Sequence, residues 1–174
     1  MRAWIVVESS FGNTREIAGA VAEGLGRHMT VDVLDIDEAP GTVDDDVDLL
    51  VVGGPTHALG MSRPDTRRDA ARQAGRPAAA DVGVREWLES GPTGIRQVAA
   101  FDTKIDKKWV PGSAAAGIAK RLRRLGGTLV AKPESFRVTG TPGPLAAGEL
   151  DRARRWGVQL AAETVLVGSP PPQR

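Results

Sequence analysis

The chain has 174 residues, of which 41% are apolar, enough for one domain with a full core and no more than one by default. Its 23 basic and 22 acidic side chains leave a net charge of +1, so no global field for nucleic acid exists, and no apolar run is long enough for a bilayer-spanning helix. The absence of cysteine excludes disulfides, thiolate metal sites and a cysteine nucleophile, and two histidines, His28 and His57, are too few and too distant in sequence for a zinc site.

The first strand is expected at residues 3–7, a short run rich in β-branched side chains. It starts almost at Met1, which leaves no room for a secretory leader, so a cytoplasmic protein is the expectation. A helix over residues 13–27 carries Ile17, Val21 and Leu25 on one stripe, with Ala18 and Ala22 beside them. A second strand is expected at 31–34. The acidic link at 44–46 leads into a third, strongly apolar strand at 47–52. The long connection from Gly53 to Arg96 needs structure of its own. Ser62, followed by Pro64 and Asp65, reads as a cap opening a helix to about Gln73, and residues 84–89 with Trp87 read as a second helical piece. A fourth strand follows at 97–101. Ser113 caps a helix carrying Ile118, Leu122 and Leu125, which Gly126 ends. The fifth strand is expected at 128–131, and a last helix over about 148–163 has Leu150, Ala153, Gly157, Leu160 and Ala161 on one face. The domain spans residues 1–167, and 168–174, with three consecutive prolines, is expected to be a disordered tail. Strands alternating with helices predict a parallel sheet covered on both faces.

The turn between the first strand and the first helix is the most informative stretch. Ser9, Ser10 and Thr14 bring hydroxyls, Asn13 an amide, and Gly12 a residue with no Cβ. A phosphate monoester needs many donors at once, and these groups, with the N–H groups opening a helix, supply them. No Lys or Arg lies within residues 9–14, so dipoles would meet the charge, with Arg15 at the margin. That suits a phosphate held permanently better than one cut or transferred. The same residues also fit an ordinary helix start, with Asn13 as N-cap and Glu16 as its capping partner.

This turn, together with Gly53-Gly54-Pro55-Thr56-His57 after the third strand, resembles the flavodoxin-like family over residues 1 to about 165. The resemblance implies a single doubly wound α/β fold, a five-stranded parallel sheet of order 2-1-3-4-5, with FMN in the crevice between strands 1 and 3. It implies that Ser9, Ser10, Phe11, Gly12, Asn13 and Thr14 hold the FMN phosphate. The isoalloxazine would lie between two loops, one with Pro55, Thr56, His57 and Ala58, the other with Asp102, Thr103, Lys104 and Trp109. The long insertion in the last strand of larger members is absent, so the chain resembles a short-chain form.

Two departures stand out. There is no tyrosine to stack on the flavin; His57 and Trp109 are the candidates, against a solvated loop side chain for the first and packing of the next helix for the second. The flavin rim is also expected to be neutral to positive, with Arg63, Arg67, Arg68, Arg72 and Arg76 against Asp65 and Asp69 after the first loop, and Lys104, Lys107 and Lys108 against Asp102 and Asp106 in the second. A solvated helix face laced with ion pairs explains the arginines equally well.

Rival folds and functions lack their residues. A phosphate-accepting receiver domain needs an acidic pair after strand 1 and an aspartate ending strand 3; here Glu8 stands alone and strand 3 ends in Val52-Gly53. The nucleotide-hydrolase loop is absent, and Gly24-Leu-Gly26 closes a helix rather than opening one. No aromatic residues interleave the arginines as nucleic-acid binding would require. Two readings remain: an FMN electron carrier working with a reductase or acceptor protein, and an FMN-dependent NAD(P)H oxidoreductase reducing a quinone or another small acceptor. No acid–base constellation stands out, which favours the carrier.

Overall fold

The computed structural model describes residues 1–57, 59–75, 82–106 and 111–168. Strand β1 (Arg2–Val7) lies between β2 (Thr30–Asp35) and β3 (Leu49–His57), and β3 lies between β1 and β5 (Gln97–Ile105). Beyond β5 the fifth position is filled by two collinear pieces, β6 (Thr128–Leu129) and β7 (Glu134–Val138), both parallel to β5. A two-residue strand, β4 (Gly60–Met61), folds back antiparallel on the end of β3. The parallel order is therefore the expected 2-1-3-4-5, counting the divided edge strand as one.

Side chains along the central strands alternate between two cores. Ala3, Ile5, Val7, Leu49, Val51, Ala99 and Phe101 face helices α1 (Asn13–Leu25) and α5 (Glu149–Gly168). Trp4, Val6, Leu50, Val52, Val98 and Ala100 face the other layer, α3 (Val84–Glu89) and α4 (Ala114–Arg124). Burial on both faces is why these strands read as continuous apolar runs. Phe101, Phe136 and Trp156 meet edge to face at centroid distances of 6.0–6.2 Å in the first core. Gly53 makes room for this cluster, since a Cβ there would lie 2.1 Å from the Phe101 ring.

Several boundaries differ from expectation. Strand β3 runs on through the glycine pair, because Gly53, Gly54 and Pro55 keep their register with Phe101, Asp102 and Thr103 of β5. Thr56 and His57 thus pair antiparallel with Met61 and Gly60, a hairpin ladder rather than an open loop. The fifth strand is interrupted over residues 130–133, the last of them Pro133, which has no N–H for the ladder, and resumes where Phe136 and Val138 alternate with Ser135 and Arg137. Helix α2 (Pro64–Gln73) begins as expected with proline in its first turn, but Arg63 takes the cap position and its N–H is accepted by the Thr66 hydroxyl. Ser62, the expected cap, is buried instead. Gly12, at φ 97°, occupies the cap position of α1, and Asn13 is its first helical residue, not its cap. Ser113 does cap α4, accepting from the Ala116 N–H. The expected tail beyond residue 168 lies outside the described residues. No helix among the described residues is long and apolar enough to cross a membrane.

Candidate functional site

Parallel strands deliver their carboxyl ends to one edge of the sheet, and there the ends of β1, β3, β5 and β7 surround a cleft of about 290 Å³. It sits where the chain leaves β1 for β2 on one side and β3 takes the other side, the position at which doubly wound sheets open a crevice. Ser10, Phe11, Asn13 and Thr14 line it from the first turn, Pro55, Thr56 and His57 from β3, and Thr103 and Lys104 from β5. Nine residues singled out from the sequence therefore meet in one place.

Three others brace the cleft without lining it. The Ser9 hydroxyl accepts from the N–H groups of Gly12 (3.1 Å) and Arg15 (3.3 Å), shaping the turn from within. Gly12 supplies the left-handed backbone that swings the chain into α1, and nothing lies within 4 Å of where its Cβ would stand. Asp102 is fully buried, and its Oδ2 accepts from the Thr56 hydroxyl (2.8 Å), the Ser113 hydroxyl (2.6 Å) and the Ala115 N–H (2.9 Å). It ties the end of β3 to the start of α4 rather than facing a ligand. Ala58 and Trp109, with Lys107 and Lys108, lie outside the described residues.

At the turn itself, the N–H groups of Asn13 and Thr14 open α1, where no intrahelical carbonyl can accept them. Asn13 Nδ2 donates to the Pro142 carbonyl at 3.1 Å, which holds the loop after β7 over the turn. The Thr14 hydroxyl, 2% exposed, lies 2.8 Å from that of Thr103. One of these hydroxyls donates to the other, so one proton of the pair stays available to an acceptor in the cleft. The His57 imidazole sits below its ordinary pKa, chiefly through burial and secondarily through the positive charge of Arg67.

Sequence reasoning missed the far wall. Thr66, Asp69, Ala70 and Gln73 of α2 line the cleft, as do Ile105, Val138 and Thr141. Their spacing on α2 was a legible signal, since positions i, i+3, i+4 and i+7 share one helix face. The arginines of the same helix are not a free basic rim: Arg67 is buried, Arg68 pairs with Asp65 and Arg72 with Asp69.

No protein-family model and no curated protein matches the sequence, but solved structures match the fold. A flavodoxin 1 from Bacillus cereus superposes with a TM-score of 0.66 at 19% identity, over 97% of this chain and 100% of that one. A flavodoxin from the domain Archaea gives 0.62 at 20% identity over 95% and 99%. A WrbA-like flavodoxin from Agrobacterium tumefaciens gives 0.62 at 19% over 95% and 98%. With the sheet order, the crevice and these full-length superpositions in agreement, the chain has the flavodoxin-like fold.

Proposed function

We propose that the cleft binds FMN and that the protein works as an electron carrier. One observation carries the reading: the left-handed turn at Gly12 presents the N-terminus of α1, where the Asn13 and Thr14 N–H groups have no intrahelical acceptor, at a cleft walled by the ends of β3 and β5. Such a terminus is a dipolar anion site with N–H donors already aimed, and Ser10, Asn13 and Thr14 add side-chain donors beside it. Bound FMN would supply one- and two-electron chemistry. The chain's own task is to hold the phosphate, exclude water from one side of the ring and leave an edge open to a partner. Pro55, Thr56, His57, Thr103 and Lys104 line the part of the cleft beyond the phosphate turn; by resemblance Ala58 and Trp109 would join them.

Polar groups on α2, notably Asp69 and Gln73, favour a second reading, in which a small acceptor docks against this wall and the FMN is reduced directly by NAD(P)H. Titrating purified, cofactor-stripped protein with FMN and following flavin fluorescence tests the binding: saturable quenching supports it, and unchanged fluorescence refutes it. Replacing Thr14 by Ala removes a charge-assisted hydrogen bond and should weaken FMN about tenfold to a hundredfold. Bleaching of the bound flavin by NADPH without added reductase would select the oxidoreductase over the carrier.

A further inference from the structure

Behind the cleft lies a buried polar cluster that no binding role explains. Glu8, the residue joining β1 to the phosphate turn, is 5% exposed, and its Oε2 accepts from the Val84 N–H at 2.8 Å. Arg67 on α2 is 3% exposed; its Nη1 lies 3.0 Å from the Ser62 hydroxyl and 3.0 Å from Glu86 Oε2 on α3. Glu86 in turn accepts from the Gly83 N–H at 2.9 Å. Gly83 is what allows the groups to meet, because a Cβ there would stand 2.3 Å from Arg67 Nη1 and 2.7 Å from Glu8 Oε2. Arg85 adds a second tie, donating to the carbonyls of Met61 (2.8 Å) and Ser62 (3.0 Å).

Burying an arginine is costly unless its partners are fixed, so such a cluster holds its elements in one arrangement. Here the elements are the strand end before the phosphate turn, the hairpin after β3, and both helices of the long connection. Helix α2 has little else to hold it, since only Arg67, Ala70 and Ala71 of its ten residues are buried. Its cleft-facing residue Thr66 immediately precedes Arg67, and Ala70 follows one turn later.

We propose that Arg67 is a positioning residue for the cleft, anchoring through Glu86, Ser62 and Glu8 the helix that forms its far wall. The inference rests on the FMN reading for its ligand, though not for its geometry. The titratable groups around Arg67 are Glu8 from the end of β1, Glu86 and Arg85 from α3, and His57 from β3; Asp69 and Lys104 line the same cleft. Burial raises the Glu8 carboxyl above its ordinary range, with Ser62, Val84 and Arg67 opposing. Burial acts the same way on Glu86, but the N–H groups of Gly83 and Glu86 and the Arg67 guanidinium more than offset it, leaving that carboxyl lowered and ionised. Arg67 thus keeps a charged partner at neutral pH, and its own charge acts on His57.

The test uses the full chain as Arg67→Met and Arg67→Lys, with His57 titrated by NMR in the absence of flavin and FMN binding followed by fluorescence. Arg67→Met should raise the His57 midpoint and weaken FMN by about tenfold. Arg67→Lys keeps the charge but has no fork to reach two partners, so the His57 midpoint should stay low while FMN weakens. A folded Arg67→Met with parental His57 midpoint and parental FMN affinity overturns the proposal, as does weaker FMN with His57 unmoved, since neither the charge of Arg67 nor the wall it holds would then bear on His57. Should Arg67→Met not fold, Arg67→Lys decides: parental FMN affinity in that variant overturns the proposal. A parent chain that binds no FMN refutes the cofactor reading alone, and the His57 titration still decides whether Arg67 acts on the cleft.

Discussion

Gly12 shows how much a single backbone angle carries. At φ 97° it stands where β-branched side chains are strained, although nothing in the protein occupies the space its Cβ would take. Gly12→Val should therefore cost about 1–3 kcal/mol by strain alone and tilt the α1 terminus away from the cleft, while Gly12→Asn, whose side chain tolerates left-handed backbone, costs less. Melting temperatures of the two variants, compared with their FMN affinities, check this; equal stability of Val and Asn would remove strain as the cause. His57 offers a prediction in pH. Its lowered pKa means that the folded protein prefers the neutral ring, so its contribution to stability is fully present above about pH 6.5 and is lost as pH falls below that value. With FMN bound, protonating the ring would favour the reduced, negatively charged flavin, so a His57-dependent rise in midpoint potential should appear as pH falls through the titration of the ring. His57→Phe should lack that rise; a potential–pH curve identical to the parent's throughout removes His57 from the flavin site.

Helices and strands were legible in the sequence where one physical signal dominated. Continuous apolar runs gave β1, β3 and β5 because both faces of these strands are buried, and the stripe with Ala153, Gly157, Leu160 and Ala161 gave α5 because one face packs on the core. Element ends were less legible, since pairing with a neighbour extends β3 past two glycines and splits the last strand at Pro133, and no local propensity encodes a neighbour. The turn residues of the candidate site could be read in advance because their chemistry is crowded into six positions. The α2 wall was obscured by its arginines: Arg68 and Arg72 pair within the helix itself, while Arg67 is buried against Glu86 of α3 and the Ser62 hydroxyl, and that burial is set by tertiary packing. Close packing of α1 on α5 yields a sharper prediction. A Cβ on Gly24 would lie 2.2 Å from the Arg154 carbonyl oxygen, and one on Gly157 2.3 Å from that of Val21, so both must be glycine for the helices to touch. Gly24→Ala gains about 1 kcal/mol of helix propensity yet should still destabilise the protein by about 1–3 kcal/mol, as the backbones are forced apart. Urea denaturation reads the difference, and a variant as stable as the parent would show that the two helices can separate freely.

At the scale of the whole molecule, charge near the cleft bears on what can dock there. The sequence shows five arginines after the loop that follows β3, but among the described residues the structure withdraws most of that charge. Arg67 is buried, Arg68 pairs with Asp65, and Arg72 lies 3.6 Å from Asp69. Exposed pairs of this kind add little stability, yet they cancel most of the field that a partner approaching α2 would meet. Lys104 donates to the Gly112 carbonyl at 2.9 Å, with no carboxylate in that contact, and Lys107 and Lys108 follow it in the chain. If the protein exchanges electrons through bound FMN, its steering charge then belongs to the lysine segment and not to the arginine helix. Complementary charge speeds encounter and salt screens it, with a Debye length of about 10 Å at 0.1 M. Joint reversal, Lys107→Glu with Lys108→Glu, should accordingly slow reduction of an acidic acceptor through its association rate, most strongly at low ionic strength. Arg68→Glu, a single reversal that adds a third carboxylate beside Asp65 and Asp69 on α2, should have the smaller effect. Stopped-flow rates measured from low to high salt separate the two. A larger effect from Arg68→Glu would relocate the docking face to α2, and rates indifferent to both variants and to salt would show that apolar contact at the flavin edge, rather than charge, brings the partner in.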